Sequence, residues 1–221
     1  MRIACVGYRD WALAIYDDIA RLAEHEVLII RSRQDYSEQA IIDFKPDLVL
    51  FYGWSWHVGP AITDTLTAMM LHPSPLPRYR GGSPIQNQII RGEIESAVTI
   101  FIMNDEMDGG DIVAQAPLSL LGHLDEIFSR ISETGLALTL DFIKNGWTAV
   151  PQDSSRATIF SRRQQEDSEI TLKEIEGESA QYLYDKIRML EDPYPNAFIK
   201  CSDGRKLFLK YAELEPENSS E

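Results

Sequence analysis

The chain has 221 residues, of which 44% are hydrophobic, and a formal net charge of −14 at pH 7. This length and apolar content allow a buried core without disulfide bonds, so we expect one substantial domain with a smaller appended unit. The negative charge disfavours a nucleic-acid surface, since phosphate binding depends on clustered Lys and Arg. No apolar run approaches the roughly 20 residues that span a bilayer. The opening residues, Arg2–Cys5, have a strand pattern instead of that of a signal peptide, and we expect a cytoplasmic protein without a membrane partner.

Cysteine and histidine spacing argues against a metal centre. Cys5 and Cys201 are far apart and form neither a ligand pair nor a disulfide framework, so we expect two reduced structural thiols. The four histidines also lack the spacing of metal ligands. The sequence therefore predicts no bound metal.

The first part of the chain alternates strand and helix patterns. Apolar runs predict strands at Arg2–Gly7, Val27–Ile30 and Asp47–Tyr52, and helical spacing predicts helices at Trp11–Leu22 and Tyr36–Phe44. This order is typical of an α/β fold with a mostly parallel, Rossmann-like sheet and flanking helices. The turn after the first strand lacks the Gly-x-Gly-x-x-Gly spacing, which disfavours a dinucleotide cofactor.

Later patterns complete this domain and add a small α+β unit. The predicted elements are strands at Ala68–Leu71, Val98–Met103 and Asp111–Gln115, a helix from Leu124 to about Asn145, a helix at Ser179–Leu190, and a hairpin across Ala197–Ala212 that turns at Asp203-Gly204. The predicted division is a main domain at 1–157, a small C-terminal unit at 158–214, and a mobile tail at 215–221.

A polar loop begins where the fourth strand ends. His72 stands at the carboxyl end of that strand, where open α/β sheets place their ligands. Prolines stiffen the loop from Pro73 to Pro84, while Gly81 and Gly82 permit a close approach of backbone and ligand. A lone histidine more often serves only to hydrogen-bond a turn, but this loop favours a functional role.

A second polar segment, Asn104–Asp111, lies between two predicted strands. Composition alone would make it a solvated acidic turn. Asp108, followed by Gly109-Gly110, is the best candidate for chemistry within it, because the glycines leave room beside the backbone. A histidine and an aspartate on neighbouring loops form an acid/base pair, in which the carboxylate accepts a proton or holds the imidazole charged. Such a pair suits acyl transfer to an amine.

These residues resemble the folate-dependent formyltransferases, which include glycinamide ribonucleotide, methionyl-tRNA and sugar N-formyltransferases. The segment from His72 to Gly82, His-Pro-Ser-Pro-Leu-Pro-Arg-Tyr-Arg-Gly-Gly, is similar to the family's His-Pro-Ser-Leu-Leu-Pro-x-Tyr-Arg-Gly loop. Met107–Ile112 is similar to its Leu-Asp-x-Gly-x-Ile segment. The resemblance implies that His72 stabilises the oxyanion and transfers protons, that Asp108 is its partner, and that 10-formyltetrahydrofolate is the formyl donor.

The resemblance also implies where the two substrates bind. The folate would lie between the segment after the third strand and the turn before Asp108, at Trp54, Ser55, Trp56, Met103, Asn104, Asp105, Glu106 and Met107. The two tryptophans would cover a flat ring, although packing in a core or an interface is equally common for such residues. The acceptor would contact Met70, Ser74, Arg78, Tyr79, Arg80, Gly81 and Gly82.

Met70 departs from the family pattern. The family has an asparagine at this position, two residues before the histidine, and its amide donates to the formyl oxygen. A thioether cannot donate a hydrogen bond, and the loss of one oxyanion donor typically costs about 2.7–4 kcal/mol of transition-state stabilisation. Either another donor replaces it or the centre is slow or inactive. Candidates are Ser74, Gln86, Asn87 and Gln88, of which the three amides would equally suit a helix surface.

The smaller unit narrows the choice of acceptor. Phe160–Ile170 and Ile187–Phe198 resemble segments shared by methionyl-tRNA and sugar formyltransferases. The tRNA enzymes carry a longer, basic C-terminal domain, whereas this chain is acidic, so the resemblance implies a nucleotide-linked amino sugar. Within that branch, Gly53–Trp56 and Arg80–Gln86 resemble segments of pseudaminic-acid pathway enzymes, which formylate a UDP-linked 4-amino-4,6-dideoxy sugar. The family also suggests a homodimer.

Other functions remain as alternatives. A degenerate folate or nucleotide-sugar binder would follow from Met70, and a formyltransferase could act on another small amine. Hydrolysis of the formyl donor is disfavoured because such enzymes usually carry a preceding regulatory domain. A serine hydrolase is disfavoured because Ser74 lies among prolines instead of in a Gly-x-Ser-x-Gly elbow.

Overall fold

The computed structural model describes residues 1–22 and 24–215 and contains a mixed, mostly parallel sheet flanked by helices. The strands are β1 (Arg2–Val6), β2 (Glu26–Ile30), β3 (Leu48–Tyr52), β4 (Ala68–His72), β5 (Arg80–Gly81), β6 (Glu95–Ile102), β7 (Ile112–Ser119), β8 (Ile159–Phe160), β9 (Ala197–Lys200) and β10 (Lys206–Leu209). The α-helices are α1 (Asp10–Arg21), α2 (Glu38–Phe44), α3 (Pro60–Thr63), α4 (Pro84–Ile89), α5 (Leu124–Asn145), α6 (Leu172–Gly177) and α7 (Ala180–Arg188).

The central sheet has the strand order β2-β1-β3-β4-β6-β7. The first four strands in this order run parallel, whereas β6 pairs antiparallel with both β4 and β7. Parallel strands need long crossover connections, and α1 and α2 supply them. The predicted α/β fold with a mostly parallel sheet is therefore confirmed.

Side chains along the buried strands alternate between two apolar layers. On β3, Leu48 and Leu50 pack in the layer that contains α1 and α5, while Val49 and Phe51 pack in the layer that contains α2 and α3. This period of two is the expected pattern of a pleated strand. Because both faces are covered, the strand reads in the sequence as a continuous apolar run.

The residues after position 158 contact the earlier part of the chain at several points, of which two bear on the site and on the packing of the C-terminal segment. β8 pairs in parallel with β5, which lies within the polar loop that follows His72. Arg188, at the end of α7, donates from Nη1 to the carbonyl oxygens of Leu120 and Gly122, both at 2.7 Å. The division into units at residue 158 stays a prediction, and the predicted tail lies outside the described residues except for Glu215.

Three further features of the described residues bear on the sequence analysis. None of their helices combines the length and apolar content needed to cross a membrane. They form no group of three or more His, Cys, Asp or Glu side chains that would hold a metal ion. Cys5 is buried and Cys201 exposed, both as free thiols, and burial raises the pKa of Cys5.

An ion pair inside the C-terminal unit makes its stability depend on pH. Burial raises the pKa of Glu174, but hydrogen bonds from Lys186 and Thr171 outweigh it and lower that pKa to about 2. The buried Lys186 donates from Nζ to Glu174 Oε1 at 2.5 Å and to the carbonyl oxygen of Glu169 at 2.6 Å. A depressed carboxyl pKa stabilises the folded state above the ordinary glutamate value, and this contribution is lost as the pH falls towards 2.

We predict that Glu174→Gln lowers the free energy of unfolding at pH 7 by about 1–3 kcal/mol, the value of a hydrogen bond to a charged group. The difference from the wild type should shrink as the pH falls from about 4.5 towards 2, because protonation removes the same charge. Urea denaturation at several pH values measures this, with Glu176→Gln on the same helix as the control. A difference that stays constant with pH would contradict the assignment.

Candidate functional site

A cavity of about 1270 Å³ opens at the carboxyl ends of β1, β3 and β4. This is somewhat larger than a typical pocket for one small molecule, about 300–1000 Å³. Its wall includes all eight predicted folate-contacting residues, both members of the predicted acid/base pair, and Met70, Gly81 and Gly82 from the predicted acceptor side. The structure therefore brings the two sequence motifs together around one space.

His72 ends β4 and is only 5% exposed. Its Nε2 lies 2.8 Å from the carbonyl oxygen of Tyr79. A carbonyl oxygen can only accept a hydrogen bond, so Nε2 carries the hydrogen. This bond fixes the orientation of the ring and leaves Nδ1 facing the opposite direction.

His72 Nδ1 faces Asp108, with 3.5 Å between Nδ1 and Oδ2. A hydrogen on either atom would lie between them. Asp108 Oδ2 also accepts a 2.7 Å hydrogen bond from the backbone N–H of Gly81. The geometry therefore sets an imidazole nitrogen and a carboxylate oxygen side by side, as an acid/base pair requires.

The backbone around Asp108 is strained and tightly held. Asp108 has φ = 48°, in the left-handed region that non-glycine residues rarely adopt. Gln152 donates from Nε2 to the carbonyl oxygens of Asp108 and Gly110, at 2.9 and 2.7 Å. A Cβ atom on Gly110 would lie 1.7 Å from the carbonyl oxygen of Ile102, so only glycine fits there. These contacts hold the carboxylate at a fixed position.

Arg80 supports this turn from inside the protein and is 1% exposed. Its guanidinium donates from Nε and Nη2 to Gln152 Oε1, at 3.1 and 2.8 Å, and from Nη1 to Glu106 Oε1 at 2.6 Å. The arginine thus fixes Gln152, which in turn fixes the backbone at Asp108. Sequence reasoning missed Gln152, because it follows an unremarkable Val-Pro pair and carries no motif.

The predicted folate wall is aromatic on one side. Trp54 and Trp56 lie edge to face with 4.7 Å between ring centroids, and Tyr8 is 4.8 Å from Trp56. Ser55 is bound through its hydroxyl to Tyr8 at 2.7 Å. Trp54 is buried and packs with Tyr36, whereas Trp56 is partly exposed. Both tryptophans therefore border the cavity, and Trp54 also belongs to a core.

Four of the predicted acceptor residues do not border the cavity, because the protein itself engages them. Ser74 donates to the carbonyl oxygen of Arg78 at 2.9 Å, and Arg78 pairs with Glu93. Tyr79 stacks on Phe160 with 5.0 Å between ring centroids, and burial, then its hydrogen bond to Glu93, raises the pKa of its hydroxyl. Arg80 makes the contacts given above. These four residues therefore support the loop, and their contact with the acceptor stays a prediction.

Comparison with known proteins identifies related chains. A family model described as Formyl transferase matches residues 16–134, more than half of the chain. A second model, described as the C-terminal domain of methionyl-tRNA formyltransferase, matches residues 165–218. A methionyl-tRNA formyltransferase from Halalkalibacterium halodurans is 31% identical to this chain. The match covers 86% of this chain but only 62% of that relative's length.

Two solved structures have similar folds over nearly their whole length. A methionyl-tRNA formyltransferase from Clostridium thermocellum superposes with a TM-score of 0.85 at 27% identity, covering 94% of this chain and 96% of the other. A sugar N-formyltransferase from a Shewanella species has a TM-score of 0.74 at 17% identity, covering 97% and 99%. At 17% identity, the likeness to the sugar N-formyltransferase shows a shared fold alone.

We predict that Gly81→Ala both destabilises the protein and disturbs Asp108. Gly81 has φ = 95°, and an added Cβ would lie 2.3 Å from the carbonyl oxygen of Phe160. The clash would separate β5 from β8 and displace the N–H that binds Asp108. Gly92→Ala is the matched control, since Gly92 has φ = 76° and no atom within 4 Å of the added Cβ. Its cost should be only about 1–2 kcal/mol from the left-handed backbone.

Thermal and urea denaturation of both variants measure this difference. We expect a clearly larger loss of stability for Gly81→Ala than for Gly92→Ala. Equal losses would show that the contact between β5 and β8 does not constrain residue 81.

Proposed function

The chain belongs to the formyl transferase family, and from that membership we propose that it transfers a formyl group from 10-formyltetrahydrofolate to the amine of a nucleotide-linked amino sugar. The observation that carries the proposal is the His72–Asp108 pair at the base of a large cavity. An aromatic wall lies on one side of that pair and a group of arginines borders the same cavity.

The donor would occupy the side formed by Trp54, Trp56 and the turn at 103–108. A pterin is flat and polar at its edge, and a site of aromatic faces and backbone groups suits both properties. The turn ends at Asp108, so a folate bound there would hold its formyl group near the acid/base pair.

Each step of the transfer has a group to perform it. The amine nitrogen attacks the formyl carbon and forms a new C–N bond, and the carbonyl oxygen becomes an oxyanion that imidazolium stabilises. Asp108 accepts a proton from the attacking nitrogen. The proton that Asp108 has taken would then pass to N10 of the folate as the bond from N10 to the formyl carbon breaks, which would release tetrahydrofolate and the N-formylated product. No covalent enzyme intermediate is needed.

Three arginines support a phosphorylated acceptor. Arg9, Arg162 and Arg163 border the cavity, and none of them forms an ion pair with a carboxylate of the described residues. The guanidinium of Arg9 lies over the rings of Tyr8 and Tyr194, at 4.8 and 4.9 Å from their centroids. The chain as a whole carries a net charge of −14, yet these three guanidinium groups are not paired with carboxylates in the described part of the chain. They therefore suit the phosphates of a nucleotide.

Methionyl-tRNA is the second candidate acceptor, favoured by the curated relative and by the C-terminal family model. RNA binding needs clustered basic side chains that are free to contact phosphates. Three basic residues in or beside the β9–β10 hairpin instead face carboxylates: Lys200 with Glu169, Arg205 with Asp203, and Lys210 with Asp192. This pairing and the net negative charge favour the small acceptor.

We predict that the protein, supplied with 10-formyltetrahydrofolate, adds one formyl group to a UDP-, dTDP- or GDP-linked amino sugar, detected by product mass and tetrahydrofolate release. His72→Asn and Asp108→Asn should abolish the reaction, because each removes one member of the acid/base pair. Arg162→Gln should raise KM for the nucleotide sugar. Because Lys173 does not border the cavity, Lys173→Gln is a charge-matched control.

Methionyl-tRNA is assayed in parallel. Formylation of the tRNA without formylation of any nucleotide sugar would overturn the proposed acceptor and keep the reaction class. Folate binding without transfer to any acceptor would favour the degenerate binding protein.

A further inference from the structure

The cavity wall contains a buried amide whose donor group is unused. Gln86 lies on α4, is 2% exposed and borders the cavity. Its Nε2 has no hydrogen-bond partner among the described residues. An amide donor buried in this way costs about 1–3 kcal/mol unless a ligand satisfies it. This cost points to a bound group that accepts a hydrogen bond.

The neighbouring amides on the same helix are fully engaged. Asn87 donates from Nδ2 to the carbonyl oxygens of Gly82 and Ser161, at 2.8 and 3.3 Å. Gln88 donates from Nε2 to those of Pro73 and Pro84, both at 2.9 Å. Burial of all three side chains overturns the expectation of a helix surface. Only Gln86 remains available to a ligand.

α4 is anchored directly beside the catalytic histidine. Pro73, whose carbonyl oxygen accepts from Gln88, follows His72 in the chain, and both border the cavity with Gln86. The helix therefore holds Gln86 at a fixed position in the cavity wall. Hydrogen-bond donors that are preorganised in a water-poor site contribute most to stabilising a developing oxyanion.

The side chains that adjoin His72 cannot fill this role. The cavity-lining side chains beside it in the sequence or on the adjoining strands are Met70, Leu71, Pro73 and Phe101, and none of them carries an N–H or O–H group. His72 itself has Nε2 committed to Tyr79, and its Nδ1 faces Asp108. While Nε2 donates to the Tyr79 carbonyl oxygen, it cannot also donate a hydrogen bond to the oxyanion.

We propose that Gln86 is a catalytic residue whose Nε2 donates a hydrogen bond to the oxygen of the reacting formyl group, supplying the donor that Met70 cannot. The role rests on the proposed function, since it assumes a formyl-folate donor in the cavity. In the ground state the amide binds the formyl carbonyl. In the transition state the same bond strengthens, because negative charge accumulates on that oxygen.

Binding of two folate analogues tests the contact without any acceptor. The probes are 10-formyl-5,8-dideazafolate and 5,8-dideazafolate, which differ only by the formyl group, measured by titration calorimetry. Gln86→Leu and Gln86→Glu should each weaken binding of the formylated probe about tenfold, the loss of one hydrogen bond to a neutral acceptor, and leave the other probe within about twofold. Gln39→Leu, at a glutamine on α2 that does not border the cavity and whose amide contacts only the exposed Asp43, should change neither affinity.

A second readout separates catalysis from packing. With an active acceptor, both Gln86 variants should lower kcat about 10²–10³-fold, as loss of an oxyanion donor does, and leave KM for the acceptor unchanged. Equal weakening of both folate probes, or a raised acceptor KM with normal kcat, would overturn the role of Gln86 and leave the proposed function standing. Failure of the wild type to bind either probe would overturn the folate donor itself.

Discussion

The reaction centre depends on the hydrogen bond from His72 Nε2 to the carbonyl oxygen of Tyr79, 2.8 Å long and buried. Because that oxygen can only accept, the ring must keep its hydrogen on Nε2 and turn Nδ1 towards Asp108. The carboxylate, fixed by the Gly81 N–H, then lies beside Nδ1, where the two groups can share a proton. One backbone contact thus sets the orientation of the imidazole and leaves direct hydrogen bonding of an oxyanion to another donor.

The loop that supplies this carbonyl is held in place at the cost of backbone strain. Tyr79, Ser83 and Asp108 all have positive φ, at 61°, 50° and 48°. Such strain persists only where the surroundings determine the conformation, and it concentrates at functional sites. Here the surroundings are the buried Arg80 with Gln152, and the pairing of β5 with β8. The segment after residue 158 therefore contributes to the geometry of the centre as well as to the cavity wall.

Much of the fold and part of the site could be predicted from the sequence. Continuous apolar runs alternating with helical spacing predict the sheet. The position of His72 at a strand end and the glycines after Asp108 predict the acid/base pair. Three features could not be predicted, because each depends on contacts between distant segments. Gln152 binds the backbone of Asp108, which is distant in the sequence. Arg80 donates hydrogen bonds to Gln152 and Glu106. Gln86 differs from the neighbouring amides in that its Nε2 lacks a partner among the described residues.

The protonation state of His72 tests the central claim most directly, and nitrogen NMR of protein labelled at its four histidines measures it. His72→Asn identifies the signals of this ring. We predict that Nε2 of His72 carries hydrogen in the wild type and in Asp108→Asn alike, because the Tyr79 carbonyl oxygen accepts from it in both proteins. A ring with its hydrogen on Nδ1 alone would contradict this assignment.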